Sequence, residues 1–254
     1  MKEVASRNGS VEKALSVLEC FDLRNPSLTL DELSEKTTFS KPTVFRIISS
    51  LEKFGYIKRV SQDGQLKFQL GMAFLEKSQI VYSHFDIREL AKQEMLLLRN
   101  ESGLSVQLAI RDGNEAVYIE QFESLTTFRV FPQVGRRVPL YAGACPKTLL
   151  AFIPEEEQKA ILDSYTYTSF TPNTKIDSCM ISTELKKIKE YGYAISKGEL
   201  HKGTIAISVP IFDINKRVIA ALSVIGDDRK VDSQKQQYLI ASLKESANKI
   251  QKKY

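Results

Sequence analysis

The sequence predicts an α+β protein of two domains, a small helical domain that ends in a β-hairpin and a larger domain of strands and helices. Its 254 residues exceed the ~100–150 residues of a common single domain. Apolar residues recur at helical spacing near the N-terminus, and the Asp-Gly pairs at 63–64 and 112–113 separate alternating runs, as in hairpins. We therefore expect one domain over residues 1–71, a linker helix over 72–85 and a second domain over 86–254.

Three amphipathic helices are predicted in the first domain. Ser10 is expected to cap the first, and Thr29 begins the second with capping-box spacing to Glu32. The third follows Ser40 as its N-cap, and Pro42 is tolerated in the first turn because no intrahelical donor is lost there. Its expected buried stripe consists of Val44, Ile47, Ile48, Leu51 and Phe54.

A β-hairpin is predicted directly after the third helix, from alternating runs at 56–60 and 65–70. Three helices and a hairpin form a winged helix-turn-helix. In this motif the recognition helix, here the third predicted helix, contacts the DNA. Arg46 would instead brace the domain if it paired with an acid of the second helix, and a further alternative is that the basic residues are merely solvated surface. The expected DNA contacts are Ser40, Lys41, Thr43, Val44, Arg46, Lys58, Arg59 and Lys67.

Short motifs in a fixed order connect the chain to a known family. They lie at 11–15, 30–33, 41–46 and 55–57 in the first domain, and at 134–140, 144–151, 198–199 and 209–211 in the second. In this order and spacing they resemble the IclR family of bacterial transcription regulators, over nearly the whole chain. The resemblance implies a winged-helix domain, a linker helix and a GAF-like effector-binding domain, assembled as a homodimer or a dimer of dimers.

Three positions depart from that family's pattern. Thr38 stands where the turn before the third helix usually has Gly, and because a β-branched residue at positive φ is costly, we expect a differently shaped turn. Pro146 replaces the usual Gly before Lys147 and would fix the start of that helix. Ala206 takes the place of a Cys often found in the strand after Gly203.

The second domain is expected to bind a small-molecule effector. Small residues at 141–145 leave backbone N–H groups near a helix start, which suits a carboxylate. The resemblance places the effector between this segment and strands at 205–208 and 221–224, while a loop at 198–203 would close over it. For each apolar residue the alternative is a plain core position. The predicted pocket comprises Phe131, Tyr141, Ala142, Gly143, Ala144, Cys145, Glu199, Ile205, Ile207, Ser208 and Ser223.

Composition argues against an enzyme, a metal protein and a membrane protein. His84 and His201 are the only histidines, so a His-rich metal site is excluded by count. Cys145 as a nucleophile and Glu199 with His201 as an acid–base pair are the weaker alternatives, since no GxSxG, P-loop or dinucleotide motif is present. We predict no cofactor and no metal. No apolar run reaches the ~20 residues that cross a membrane, and three widely spaced cysteines suit the cytoplasm.

The sequence therefore favours a sequence-specific DNA-binding transcriptional regulator, with repression as the working hypothesis. Its partners would be double-stranded operator DNA, a second copy of the chain and a small metabolite, with a carboxylate favoured. A net charge of +5 is compatible with polyanion binding but is not sufficient for it. Two alternatives stay open: an architectural DNA binder that needs no effector, and an enzyme with an appended DNA-binding domain.

Overall fold

The computed structural model describes residues 9–62, 64–82, 86–124 and 134–254. The chain divides into two compact units, residues 1–84 and 85–254. Within the described ranges, no helix is long and apolar enough to cross a bilayer. The finer boundaries expected on either side of the linker helix stay predictions.

The N-terminal unit has the architecture of a winged helix-turn-helix, as predicted. Its elements are α1 (Ser10–Leu18), α2 (Leu30–Thr37), α3 (Lys41–Lys53), the antiparallel strands β1 (Ile57–Gln62) and β2 (Gln65–Leu70), and α4 (Ala73–Tyr82). Val17, Leu33, Val44, Ile48 and Phe68 are at most 1% exposed and form its core. One residue from each of the first two helices, two from α3 and one from the hairpin thus hold the elements together.

The helix ends follow the sequence only in part. The capping box of α2 is confirmed, since the Glu32 N–H donates to Thr29 Oγ1 at 3.2 Å and the Thr29 N–H donates to the Glu32 carboxylate at 2.7 Å. Gly9, not Ser10, is the N-cap of α1. Phe54 is 70% exposed, so its predicted place in the buried stripe is wrong: α3 ends at Lys53, and helical spacing no longer applies beyond it.

The turn between α2 and α3 keeps the left-handed residue that a glycine usually supplies. Thr38 lies at φ 59° and ψ 15°, so the expectation of a differently shaped turn is wrong. The Ser34 hydroxyl donates to the Phe39 carbonyl at 2.6 Å, and the Thr38 N–H donates to the Glu35 carbonyl at 3.3 Å. These contacts hold Thr38 in a conformation that a β-branched residue disfavours.

In its described residues, the C-terminal unit forms a six-stranded antiparallel sheet with helices on both faces, which confirms the predicted α+β class. The strand order is β5-β4-β3-β8-β7-β6. Its elements are α5 (Asp86–Ser102), β3 (Ser105–Asp112), β4 (Glu115–Phe122), β5 (Arg137–Pro139), α6 (Ala144–Ala151), α7 (Glu155–Ser164), α8 (Ser178–Tyr191), β6 (Ala194–Lys197), β7 (Thr204–Phe212), β8 (Val218–Asp227), a 3-10 turn (Asp228–Lys230) and α9 (Ser233–Gln251).

The two faces of the sheet bury separate cores. On one face, Ile207 and Leu222 pack in a cluster with Met95 of α5 and Leu243 of α9. On the other face, Ala221 belongs to a cluster that includes residues of α6 and α8. Since successive residues of a strand point to opposite faces, a shift of one position moves a β7 or β8 side chain from one core to the other.

We expect Thr38→Gly to stabilise the N-terminal unit by about 0.5–1 kcal/mol, because glycine adopts the left-handed conformation without a Cβ penalty. Thr38→Ala is the matched control, since it removes the side-chain branch but keeps the Cβ. Urea unfolding of the full chain, followed by a signal specific to this unit, measures the difference. Equal midpoints for Thr38→Gly and Thr38→Ala would contradict the assigned strain.

Candidate DNA interface and effector site

Helix α3 presents a buried stripe on one side and a polar surface on the other. Val44 is fully buried with 0% exposure, so its predicted role as a DNA contact is wrong: the same helical spacing that puts it in the stripe turns it away from solvent. Lys41 and Arg46 are exposed at the start of α3, and Thr43 is half-buried between them. This surface is the candidate recognition surface.

The cations of this region differ in their partners. Lys41 Nζ lies 2.8 Å from Asp31 Oδ1 of α2, and both side chains are exposed. Such a surface pair contributes only ~0–1 kcal/mol, so a DNA phosphate can replace the carboxylate. Arg46 forms no ion pair with any described residue. The ion pair with an acid of α2 that was considered for Arg46 is therefore made by Lys41 instead.

The wing contacts α3 through an aromatic residue that the sequence analysis did not single out. Phe45 is 44% exposed, and the guanidinium carbon of Arg59 lies 5.6 Å from its ring centroid. Arg59 Nη2 also lies 2.9 Å from Glu52 Oε2. Arg59 thus fixes the wing to α3, whereas Lys58 is exposed and Lys67 half-buried on the hairpin.

The C-terminal unit has a cavity between the start of α6 and the sheet, with an empty volume of about 500 Å³ that includes its open mouth. Four predicted residues line it: Gly143, Ala144, Cys145 and Ser223. The remaining lining residues are Gln107, Tyr118, Arg136, Ser196, Leu200, His201, Thr204, Ala206 and Ile225. The sequence analysis did not single these residues out, although Leu200, His201 and Ala206 lie in the loop and strand that it assigned to the effector. The others lie in or next to strands that only the sheet brings together.

Several predicted pocket residues lie elsewhere. Ile205 and Ile207 belong to the core between the sheet and helices α5 and α9, so the prediction was wrong by one strand position, and their neighbours Thr204 and Ala206 line the cavity instead. Ser208 is fully buried, and its hydroxyl lies 3.6 Å from Cys145 Sγ.

Three further residues predicted to line the pocket are Tyr141, Ala142 and Phe131. Tyr141 and Ala142 are at most 2% exposed and lie in the core under α6. The Tyr141 hydroxyl donates to the Thr168 carbonyl at 3.0 Å and accepts from the Thr168 N–H at 2.9 Å, so it is a structural residue. Phe131 lies outside the described residues.

Glu199 has a structural partner beneath the cavity. Lys147 is 0% exposed, and its Nζ lies 2.6 Å from Glu199 Oε1 and 2.7 Å from Glu184 Oε1. Glu199 Oε2 accepts a hydrogen bond from the Gly143 N–H at 3.1 Å. The carboxylate of Glu199 therefore occupies the first backbone donor before α6 and does not line the cavity.

Other polar groups at the cavity have no protein partner. In the described part of the chain, no acceptor takes the N–H of Ala144 or Cys145. The buried hydroxyl of Ser223 has no nitrogen or oxygen partner there and lies beside the Cys145 thiol, whose pKa it lowers slightly against the larger effect of burial. Burial raises the pKa of the Cys145 thiol to about 11, so the thiol is protonated at neutral pH and is a poor nucleophile. No group of three or more His, Cys, Asp or Glu residues in the described ranges is placed to hold a metal ion.

Arg136 and His201 meet at the cavity wall. Arg136 Nη1 lies 2.7 Å from His201 Nε2. Because a guanidinium only donates hydrogen bonds, Nε2 must be the acceptor, which requires a neutral imidazole. Burial, followed by the positive charge of Arg136, lowers the pKa of His201 and so favours this neutral form.

A winged helix-turn-helix unit together with a separate domain that has a polar-lined cavity is typical of ligand-responsive DNA-binding regulators. The family model for the IclR helix-turn-helix domain matches residues 10–61, and that for the bacterial transcriptional regulator IclR C-terminal domain matches residues 79–252. The chain belongs to the IclR family of transcription regulators.

Individual relatives cover nearly the whole chain. It is 38% identical over 248 residues to the HTH-type transcriptional regulator KipR of Bacillus subtilis, covering 98% of each chain. The crystal structure of Thermotoga maritima IclR is similar at a TM-score of 0.79 and 30% identity, covering 96% of this chain and 98% of that one. An IclR homologue from Microbacterium hydrocarbonoxydans, solved in complex with 4-hydroxybenzoate, has a TM-score of 0.82 and 23% identity and covers 96% and 98% of the two chains.

Proposed function

We propose that this regulator acts in the cytoplasm as a repressor, binds a near-palindromic operator as a homo-oligomer, and is controlled by a small carboxylate metabolite. The observation that carries the effector proposal is the cavity at the start of α6, where the Ala144 and Cys145 N–H groups and the Ser223 hydroxyl find no nitrogen or oxygen partner among the described residues. Buried polar groups normally have partners, so a polar ligand is the natural complement.

The recognition surface supports a specific DNA contact by the start of α3. Arg46 is exposed there, and no carboxylate of a described residue pairs with it. An arginine of a recognition helix can bind guanine through two hydrogen bonds. Thr43 lies one turn before it, and Lys41 lies at the position where a phosphate is expected. The hairpin lysines Lys58 and Lys67 then supply contacts to the DNA backbone.

Arg46→Ala should weaken operator binding by about 1–3 kcal/mol and relax base preference, because a base contact is lost, whereas Lys58→Ala should mainly reduce the salt dependence. Fluorescence anisotropy with a duplex selected in vitro by the unaltered protein measures both effects. Arg24→Ala is the control, since Arg24 is exposed in the same unit outside α3 and the hairpin. Unchanged affinity of a folded Arg46→Ala protein would rule out its role in recognition.

Exposed apolar residues on α4 support self-association. Leu75, Ile80 and Val81 are 54%, 56% and 53% exposed, which is unusual for three aliphatic residues on one short helix. Two paired winged helices would place their recognition helices about one DNA turn, or a multiple of it, apart.

We expect light scattering to give an even-numbered oligomer for the unaltered chain, and a smaller species for the double variant Leu75→Lys with Val81→Lys, because charge cannot be buried in an apolar interface. Glu76→Lys alters charge on the same helix without removing apolar surface and serves as the control. A monomer both free and on DNA would contradict the proposal.

The effector proposal is supported by the polarity of the cavity and by a relative. The homologue bound to 4-hydroxybenzoate has the same fold, and this ligand is an organic acid. Ligand can change DNA affinity only through different affinities for two states of the protein. An architectural DNA binder would instead show no ligand stabilisation, and an enzyme would show turnover.

Filling the cavity should abolish effector binding. Gly143 is unsuitable for this test, because it lies at φ +94° and an added Cβ would lie 2.8 Å from Leu200 Cδ1, so a substitution there would disturb the fold. Ala206→Leu adds bulk from β7, and Ala241→Leu makes the same change at an exposed position of α9.

In thermal-shift measurements on the full chain, an organic acid at ~100 times its Kd should stabilise the C-terminal unit by about 2.7 kcal/mol. We expect Ala206→Leu to lose this stabilisation and Ala241→Leu to keep it. An equal response from both variants would place the effector elsewhere in the protein.

A further inference from the structure

The basic side chains near the cavity differ in how their charge is balanced. Arg137 lies on the outer edge of the sheet, where its guanidinium is 2.7 Å from carboxylate oxygens of both Asp112 and Glu115. Lys147 is enclosed by Glu184 and Glu199. Both cations are therefore already satisfied by carboxylates and are poor candidates for binding an anion.

Arg136 is the exception among these three. It lines the cavity, and no carboxylate of the described residues lies within ion-pair distance of it. The segment 125–133 that precedes it also contains no acidic residue. Burial lowers the pKa of Arg136, which means that part of the hydration of its charge has been lost. A half-buried guanidinium without a counter-charge is unfavourable unless an anion supplies one.

His201 takes the place of that missing acceptor. At 2.7 Å from Arg136 Nη1, its Nε2 satisfies one N–H group of the guanidinium without neutralising the charge. The loop that carries His201 is fixed from several sides: Glu199 pairs with Lys147, its carbonyl accepts from Thr174 Oγ1 at 2.7 Å, and the His201 carbonyl accepts from Thr204 Oγ1 at 2.6 Å. The imidazole is therefore held at the cavity wall.

We propose that Arg136 recognises the anionic group of the effector, and that neutral His201 is a substitute acceptor from which the anion takes over the guanidinium. This inference rests on the proposed effector function and adds the residue that selects acids over neutral compounds. The unpartnered N–H groups of Ala144 and Cys145 and the Ser223 hydroxyl are then left for a second polar group of the same ligand.

The proposal has a consequence for pH. Besides Arg136, the titratable groups facing His201 across the cavity are Tyr118 of β4 and Cys145 of α6, and burial raises the pKa of both, so both are neutral near pH 7. A bound anion that takes over the Arg136 N–H group frees His201 Nε2 and adds a negative charge beside it. It would therefore favour imidazolium and raise the pKa of His201 from its lowered value. Binding then takes up a proton, so affinity for the acid increases as the pH falls through the pKa of His201 in the complex.

The test compares matched acids and amides on the full chain by calorimetry: benzoate with benzamide, 4-hydroxybenzoate with 4-hydroxybenzamide, and succinate with succinamide. The variants are Arg136→Gln, which keeps hydrogen-bond donors but removes the charge, and Arg137→Gln as the neighbouring control. We expect Arg136→Gln to weaken acid binding by about tenfold or more while leaving the amide unchanged, and Arg137→Gln to stay within about twofold of the unaltered chain.

His201→Gln separates recognition from proton uptake. Its amide can still accept from Arg136 but cannot become cationic, so the acid should bind with little pH dependence. Equal acid affinity in the unaltered and Arg136→Gln proteins, with loss of binding in Ala206→Leu, would overturn the role of Arg136 while leaving the effector site intact. If no acid binds the unaltered chain, or if acids bind Ala206→Leu equally well, the proposed effector function itself fails.

Discussion

The ion pairs of the buried Lys147 ammonium are the interactions on which the arrangement around the cavity of the C-terminal unit depends. Removing an ammonium from water costs several kcal/mol, and this cost is offset only if carboxylates and good hydrogen-bond geometry replace the water. Glu184 of α8 and Glu199 of the cavity loop supply those carboxylates at 2.7 and 2.6 Å. Loss of one partner would leave an uncompensated buried charge, at a cost of about 3–5 kcal/mol. The pair therefore ties α6, α8 and the cavity loop into one arrangement.

The chemistry of the cavity follows from that arrangement. Because Glu199 also accepts from the Gly143 N–H, the first donor of the α6 start serves the fold, and only the following N–H groups are left for a ligand. The same fixed loop holds His201 against Arg136. A site that is largely formed before the ligand arrives loses less conformational entropy on binding. Lys147 thus positions the wall of the cavity without lining it.

In the N-terminal unit, contacts from α2 and the hairpin hold the basic surface of α3 in place. Thr38 accepts a left-handed conformation so that α3 can follow α2 directly. The pairs Lys41 with Asp31 and Arg59 with Glu52 then keep basic side chains ordered at the surface. Since surface pairs are weak, both cations stay available to other anions. The DNA-binding unit and the unit with the cavity consequently have separate hydrophobic cores.

By itself, the sequence determined the features that depend on local physics. The Thr29–Glu32 capping box, the Asp112-Gly113 hairpin and the buried stripe of α3 were predictable, because each rests on residues that are close in the chain. The family, and with it the DNA-binding function, followed from the order of short motifs. The turn at Thr38 was mispredicted because the surrounding hydrogen bonds overcome the preference of threonine against positive φ.

Only the tertiary structure decided which residues meet at the cavity. β7 alternates small or polar residues with large aliphatic ones, but both of its faces are buried. The alternation therefore does not show that the face of Thr204 and Ala206, and not that of Ile205 and Ile207, meets α6 and the cavity. Likewise, nothing local distinguishes Arg136 from Arg137, yet one faces the cavity and the other pairs with surface acids. Long-range strand pairing assigns each side chain its neighbours, and those neighbours decide whether a charge is already balanced or is left to bind a ligand.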